Sequence, residues 1–217
     1  MKLNARVLLA LPCLAALMSV AGVAHANTIV NGSVWIDQGP NPNPNVYTLW
    51  TLPATLPSGA PATTFTLPNT TGIMNFYSGN GNYTIAGFLG SNGNTVPTLS
   101  NPAAGADLLN NTVWDFAGTT YMTQGDMYSV THDDGMYLWV NGMQVISSGA
   151  PTPADTSSFT WTGTSGAYSF NLLYAEENGA PAVIDTNIAQ TPEPSSFVLL
   201  GSGLLGVAGF IRRRMGA

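Results

Sequence analysis

Residues Tyr128–Ile146 read YSVTHDDGMYLWVNGMQVI. The pair Asn141-Gly142 is the strongest short-range signal in this stretch, because a two-residue hairpin loop of this kind needs positive φ at both positions. With those two residues as the loop, Val140 faces Met143, Leu138 faces Val145, and Met136 falls on the same side. Tyr137, Trp139, Gln144 and Ile146 fall on the other side. A slip of one residue mixes the two faces, so the register is well specified. Asp133-Asp134-Gly135 reads as a second hairpin turn, back to back with the first.

On either side of this stretch the chain keeps a β texture. Short runs of Val, Thr, Tyr, Phe and Trp are cut by Gly, Pro and Asn. Strands are expected at Thr28–Ile36, Val46–Thr51, Thr63–Leu67, Ile73–Tyr77, Tyr83–Phe88, Thr112–Phe116 and Thr119–Met122. Further strands follow at Met127–His132, Met136–Val140, Met143–Ser147, Ser158–Thr162, Tyr168–Ala175 and Ala182–Asp185. One helical turn is expected at Leu108–Asn110 and no sustained helix anywhere in the domain. Many short strands at this spacing imply an all-β fold, an antiparallel β-sandwich or jelly roll in one domain, residues 27–190.

Asp133 and Asp134 are the best site candidates. Adjacent strand residues point to opposite faces, so a tight turn or a cis bond is needed to aim both at one point. Convergent carboxylates repel unless a hard cation lies between them, and calcium favours oxygen ligands. The same residues also suit an ordinary solvated turn. Tyr137 and Trp139 share a face near the pair and are candidates to stack on a sugar ring, with Asn141 as a polar partner. Packing of that face against a second sheet is the alternative. Trp35, Trp50, Trp114 and Trp161 fit core positions. His132 abuts the pair and reads as a supporting residue. Glu176 and Glu177 are adjacent and cannot face each other across a glycosidic bond. Glu176 or Asn178 is a candidate to complete a calcium site.

The segment THDDGMYLWVNGMQVI resembles the signature hairpin of the β-sandwich module first known from the anthrax protective antigen, which recurs in flocculins, fungal adhesins and bacterial surface proteins. Thr112–Thr131 is similar to the lead-in of that module, and Ser169–Ile184 to its closing hairpin. In lectin members, an Asp pair joined by a cis peptide binds calcium, and calcium binds sugar hydroxyls. The resemblance implies that role for Asp133 and Asp134 only, with calcium as cofactor.

Charge sharpens this picture. The five basic residues, Lys2, Arg6, Arg212, Arg213 and Arg214, all lie at the chain ends. Asn27–Gln190 holds ten acids and neither Lys nor Arg. Such a domain repels nucleic acid and anionic lipid. A cation would relieve the repulsion among its acids, although an acidic surface also simply keeps an exported protein soluble.

The ends are sorting elements. Residues 1–26 read as a signal peptide, with Lys2 and Arg6 before an apolar run and Ala24-His25-Ala26 before the cut, so that Asn27 begins the mature chain. Cys13 lies in this run behind Pro12, a poor context for lipidation, and the mature protein has no thiol. Residues 191–217 hold Pro192-Glu193-Pro194, an apolar stretch at 197–211 and the cluster Arg212-Arg213-Arg214. Fifteen helical residues span about 22 Å against a bilayer core of ~30 Å, a marginal single transmembrane helix. The arginines hold that end in the cytoplasm. The arrangement resembles the PEP-CTERM sorting signal of Gram-negative bacteria. That implies recognition by an exosortase, transient inner-membrane insertion, and release to the cell surface or extracellular matrix.

The function expected is therefore an exported, non-catalytic surface or matrix protein, adhesive or associated with extracellular polysaccharide or a cell-surface glycan. Calcium-dependent glycan binding is its sharpest form. A structural biofilm-matrix protein without specific glycan binding is the near alternative, and a polysaccharide hydrolase the distant one.

Overall fold

Apolar residues at every second position build two antiparallel sheets. The computed structural model describes residues 30–40, 49–67, 74–79, 83–91, 96–177 and 181–188, all within the compact unit Asn27–Thr191. The leader, its cut at Ala26/Asn27, residues 46–48 of one expected strand, Asn178 and the sorting segment from 191 onward lie outside the described residues.

Ten strands are present among the described residues. They are β1 (Val30–Trp35), β2 (Thr63–Leu67), β3 (Met74–Tyr77), β4 (Thr112–Met122), β5 (Met127–Asp133), β6 (Met136–Val140), β7 (Met143–Ser148), β8 (Asp155–Thr160), β9 (Gly166–Glu176) and β10 (Val183–Thr186). One sheet has the order β2-β1-β4-β9-β6-β7 and the other β3-β10-β5-β8. Trp114, Phe116, Leu138, Leu172 and Tyr174 from the first sheet meet Phe76, Val130 and Ile184 from the second in one buried cluster.

The six-stranded sheet is buried on its outer face as well. Val113, Leu173 and Ala175 point away from the main core, where Trp35 and Leu52 cover them. This explains the unbroken apolar run Leu172-Leu173-Tyr174-Ala175 on β9: alternate residues serve different cores.

Several expected elements are corrected. Tyr83–Phe88 is not a strand. Ile85–Gly90 forms a short helix, α1, capped by the Thr84 hydroxyl, which accepts from the Gly87 N–H at 3.1 Å. Ile85, Phe88 and Leu89 are buried at i, i+3 and i+4, a helical spacing rather than a strand alternation. The helical turn expected at Leu108–Asn110 lies instead at Pro102–Ala106 as a 3-10 helix, opened by the proline. Thr112–Phe116 and Thr119–Met122 are one continuous strand, β4.

The β6–β7 hairpin turns at Asn141 (φ 52°) and Gly142 (φ 74°), as the sequence requires. Its register departs beyond the turn. A β-bulge makes Val145 the extra residue, so Leu138 faces Ile146 rather than Val145. Ile146 is consequently buried with the core instead of lying beside Trp139.

Asp133-Asp134-Gly135 is not a hairpin turn, and Ser169–Ile184 is not a hairpin. The strand β5 pairs with β8 and β10, whereas β6 pairs with β7 and β9. The chain thus changes sheets at the Asp pair. Two of its other crossings between the sheets, from β7 to β8 and from β9 to β10, come to the same place.

Candidate functional site

Those three sheet-changing connections converge on the Asp pair. The peptide between Asp133 and Asp134 is cis, and both residues are buried. Gly135 follows because the backbone passes too close for a side chain: a Cβ there would lie 2.6 Å from the Gly149 carbonyl oxygen. Gly135 also accepts from the Ala175 N–H at 2.9 Å, and the Asp134 N–H donates to the Ala175 carbonyl at 3.3 Å.

The β7–β8 connection reads Pro151-Thr152-Pro153-Ala154. Alternate prolines lack an N–H, which leaves two backbone donors. Both reach the pair. The Thr152 N–H donates to Asp134 Oδ1 at 3.3 Å, and the Ala154 N–H donates to the Asp133 carboxylate. From the β9–β10 connection, the Glu177 N–H donates to Asp134 Oδ2 at 2.9 Å.

Buried side chains hold the backbone of the pair. His132 Nδ1 lies 2.6 Å from the Asp134 carbonyl oxygen, and since a carbonyl only accepts, Nδ1 is the protonated nitrogen there. His132 Nε2 lies 3.0 Å from Ser157 Oγ. The Tyr174 hydroxyl donates to the Asp133 carbonyl and shares a contact of 2.9 Å with Glu176 Oε2. Burial pushes the Tyr174 phenol well above its ordinary value, reinforced by the charge and the hydrogen bond of Glu176.

The carboxylates carry the electrostatic signature of the site. Burial, then the Asp134 charge, pushes Asp133 up to about 6, opposed by the Ala154 N–H. Burial pushes Glu177 up to about 7; the Trp50 N–H, which donates to Glu177 Oε2 at 2.8 Å, opposes the rise, and the Asp134 charge adds to it. Glu177 Oε1 is buried and has no hydrogen-bond partner among the described residues. Glu177, just past the end of β9, bonds the pair directly through its N–H, whereas Glu176, the last residue of β9, reaches Tyr174. The sequence alone offers Glu176, not Glu177, as a further ligand. The missed signal lay upstream, where Leu173 and Ala175 already mark the outer face of β9 as buried.

A cleft of about 490 Å³ opens on this arrangement, lined by Leu49, Asp133, Asp134, Pro151–Ala154 and Pro181. It draws one wall from each connection. The other expected ligand contacts lie elsewhere. Tyr137 and Trp139 pack against each other, ring centroids 5.8 Å apart, on the outer face of the six-stranded sheet beside the Leu52 cluster. They pack neither in the cleft nor against the second sheet. Asn141 sits at the far end of β6, about 17 Å along the strand from Met136, on the side away from the pair.

The cleft suits a hard cation in its donor chemistry. It presents two carboxylates, and a carboxylate oxygen that accepts one N–H keeps a lone pair for another partner. Calcium takes six to eight oxygens, and no group of three or more His, Cys, Asp or Glu able to hold a metal ion occurs among the described residues. A bound calcium would therefore be held by Asp133 and Asp134 and would draw its remaining ligands from backbone carbonyls, water or a ligand's hydroxyls.

Comparison with known proteins adds the terminal segment. Residues 190–214 match the PEP-CTERM protein-sorting motif. The match contains Pro192-Glu193-Pro194 and Arg212-Arg213-Arg214 and indicates export with sorting to the cell envelope or surface. No helix of the described residues is long and apolar enough to cross a membrane. No curated protein matches the chain at a significant level. Among solved structures, the chain is similar to a PA14 sugar-binding domain from an RTX adhesin, with 22% identity and a TM-score of 0.49 over 74% of this chain and 89% of that one. It is also similar to the PA14 domain of the MpAFP antifreeze protein, with 19% identity and a TM-score of 0.45 over 78% and 87%. A β-glucosidase from Kluyveromyces marxianus matches with 11% identity and a TM-score of 0.35, over 81% of this chain but only 17% of its own length.

Proposed function

We propose that this is an exported, non-catalytic glycan-binding protein whose Asp133–Asp134 cleft takes calcium and, through it, sugar hydroxyls. The observation that carries the reading is the convergence of three sheet connections on two buried carboxylates, in a domain that has no Lys or Arg to neutralise them. Buried like charges are costly without a counter-ion. A divalent cation supplies one and leaves coordination positions for neutral hydroxyls. An exosortase is the processing partner to which the terminal motif points, and extracellular polysaccharide or a cell-surface glycan is the ligand class. The hydrolase reading is weaker. His132 is already engaged on both nitrogens, and the two carboxylates are sequence neighbours rather than a pair flanking a bond.

The test is a thermal melt of the full chain in detergent, with calcium and with chelator, beside Asp133→Asn/Asp134→Asn. At 100 times its dissociation constant a ligand adds about 2.7 kcal/mol to the folded state. A calcium-dependent rise of several degrees, absent from the variant, is the expected result. Identical melts in both buffers would leave the protein as a structural matrix component without a metal site.

A further inference from the structure

The four-stranded sheet has one face turned to solvent, and the Asp pair lies at one end of it. The rung Tyr77–Val183–Asp133 crosses β3, β10 and β5 in register. Its neighbours Phe76, Ile184 and His132 are buried on the inner face, so Tyr77, Val183 and Asp133 all project outward. The register runs on past β3. The Ser78 N–H donates to the Ala182 carbonyl at 2.9 Å, and the Ala182 N–H donates to Ser78 Oγ at 2.5 Å. The next rung therefore sets Gly79 opposite Pro181, which lines the Asp cleft.

Tyr77 is built as a platform. It is 49% exposed, yet its ring is held down on Gly79: a Cβ at Gly79 would lie 2.0 Å from the ring. The Cε1–Cζ–hydroxyl edge of the ring thus lies against bare backbone. The Tyr77 N–H donates to Ser91 Oγ at 2.8 Å, fixing the strand beneath. Tyr77 and Asp133 project from the same face two strand spacings apart, about 10 Å, and Pro181 lines the cleft beside the carboxylates.

We infer that Tyr77 is a second sugar subsite, a stacking platform for a neighbouring residue of the neutral oligosaccharide whose first residue sits at the Asp133–Asp134 cleft. The chemistry suits a neutral glycan. A pyranose offers an apolar C–H face to an aromatic ring and hydroxyls at its edge, and a phenol adds a polar handle. An anionic polymer would meet two carboxylates in a domain without Lys or Arg. The inference rests on the reading of the Asp pair as the primary sugar site, and it assigns to the protein a preference for chains over single sugars.

The experiment is calorimetric titration of the full chain in detergent and calcium. The probes are glucose, galactose and mannose, followed by the linear trisaccharide of whichever binds. The native protein should bind the trisaccharide about five- to tenfold tighter than the monosaccharide. Tyr77→Ala should abolish that advantage while leaving monosaccharide affinity unchanged, and Tyr77→Phe should keep it. Equal trisaccharide affinity in native and Tyr77→Ala protein overturns the subsite and leaves the Asp reading intact. Trisaccharide binding that Asp133→Asn/Asp134→Asn does not weaken but Tyr77→Ala does would retain the platform and overturn the Asp reading. No binding of any of these sugars overturns both.

Discussion

The backbone N–H of Glu177 donates to Asp134 Oδ2 at 2.9 Å, so the point where the chain leaves β9 is tied to the point where it leaves β5. The same bond brings the Glu177 carboxylate into the field of the Asp pair. Burial first, with the Asp134 charge adding to it, holds Asp133 at about 6 and Glu177 at about 7, from ordinary values of 3.8 and 4.5.

That shift predicts an unusual pH dependence. Between about pH 4 and pH 7 Asp133 and Glu177 hold more protons in the folded protein than in the unfolded chain, so the stability they contribute falls as pH rises through this window. In chelator, the melting midpoint should be higher at pH 5 than at pH 7.5. Calcium should reverse the order, because a cation favours the ionised carboxylates. Melts at both pH values in both buffers check this, and a chelator midpoint that climbs from pH 5 to pH 7.5 contradicts it.

Gly135 is predicted to be more sensitive than Gly142. An added Cβ at Gly135 would press on the Gly149 carbonyl at 2.6 Å and the Gly149 carbonyl carbon at 3.0 Å, both main chain. Gly135→Ala should cost about 1–3 kcal/mol or more, as overpacking does, and displace the β7–β8 connection from the Asp pair. Gly142 has open space around its Cβ position and only its φ of 74° to satisfy, so Gly142→Ala should cost about 1–2 kcal/mol. Urea midpoints of the two variants make the comparison; equal losses would mean that the close approach at Gly135 is unimportant.

The sequence shows the β6–β7 turn and the Asp pair because both are written in local residue types. Asn141-Gly142 needs only its own backbone to be read. The change of sheets at Asp134 is different, since alternation before and after a turn is the same whether the second strand folds back on the first or joins another sheet. The bulge at Val145 is likewise silent, because two apolar residues in a row fit either parity. The helix Ile85–Gly90 was legible in principle through Thr84 and the spacing of Ile85, Phe88 and Leu89, but it is too short for periodicity to outweigh the β texture around it. The Pro151–Ala154 loop was also legible: two prolines leave two N–H groups, and buried carboxylates nearby need donors.

Tyr174 tests how much the pair depends on its buried support. Its hydroxyl donates to the Asp133 carbonyl. Tyr174→Phe keeps the ring in the core, where it stacks on Phe88 with centroids 6.4 Å apart, and deletes the hydroxyl that serves the Asp133 carbonyl and contacts Glu176 Oε2. A buried carbonyl left without its donor costs about 1–3 kcal/mol. The urea midpoint should fall with an unchanged slope, and the calcium response should weaken as the pair loses its fixed backbone. A variant as stable as the native protein would show that the carbonyl finds another donor.

Glu177→Gln separates charge from shape at the same site. The amide oxygen can still accept from the Trp50 N–H, so the tie between the covering segment and β9 survives. The charge facing Asp134 is gone, and with it the group held at about 7. The loss of stability between pH 6 and pH 8 in chelator should therefore shrink, while the part that arises from Asp133 near pH 6 remains. Melts of both proteins at pH 5.5 and pH 8.0 give the two slopes. If the variant loses as much stability over that range as the native protein, Glu177 is not the group that titrates, and the pH dependence must be reassigned to the Asp pair.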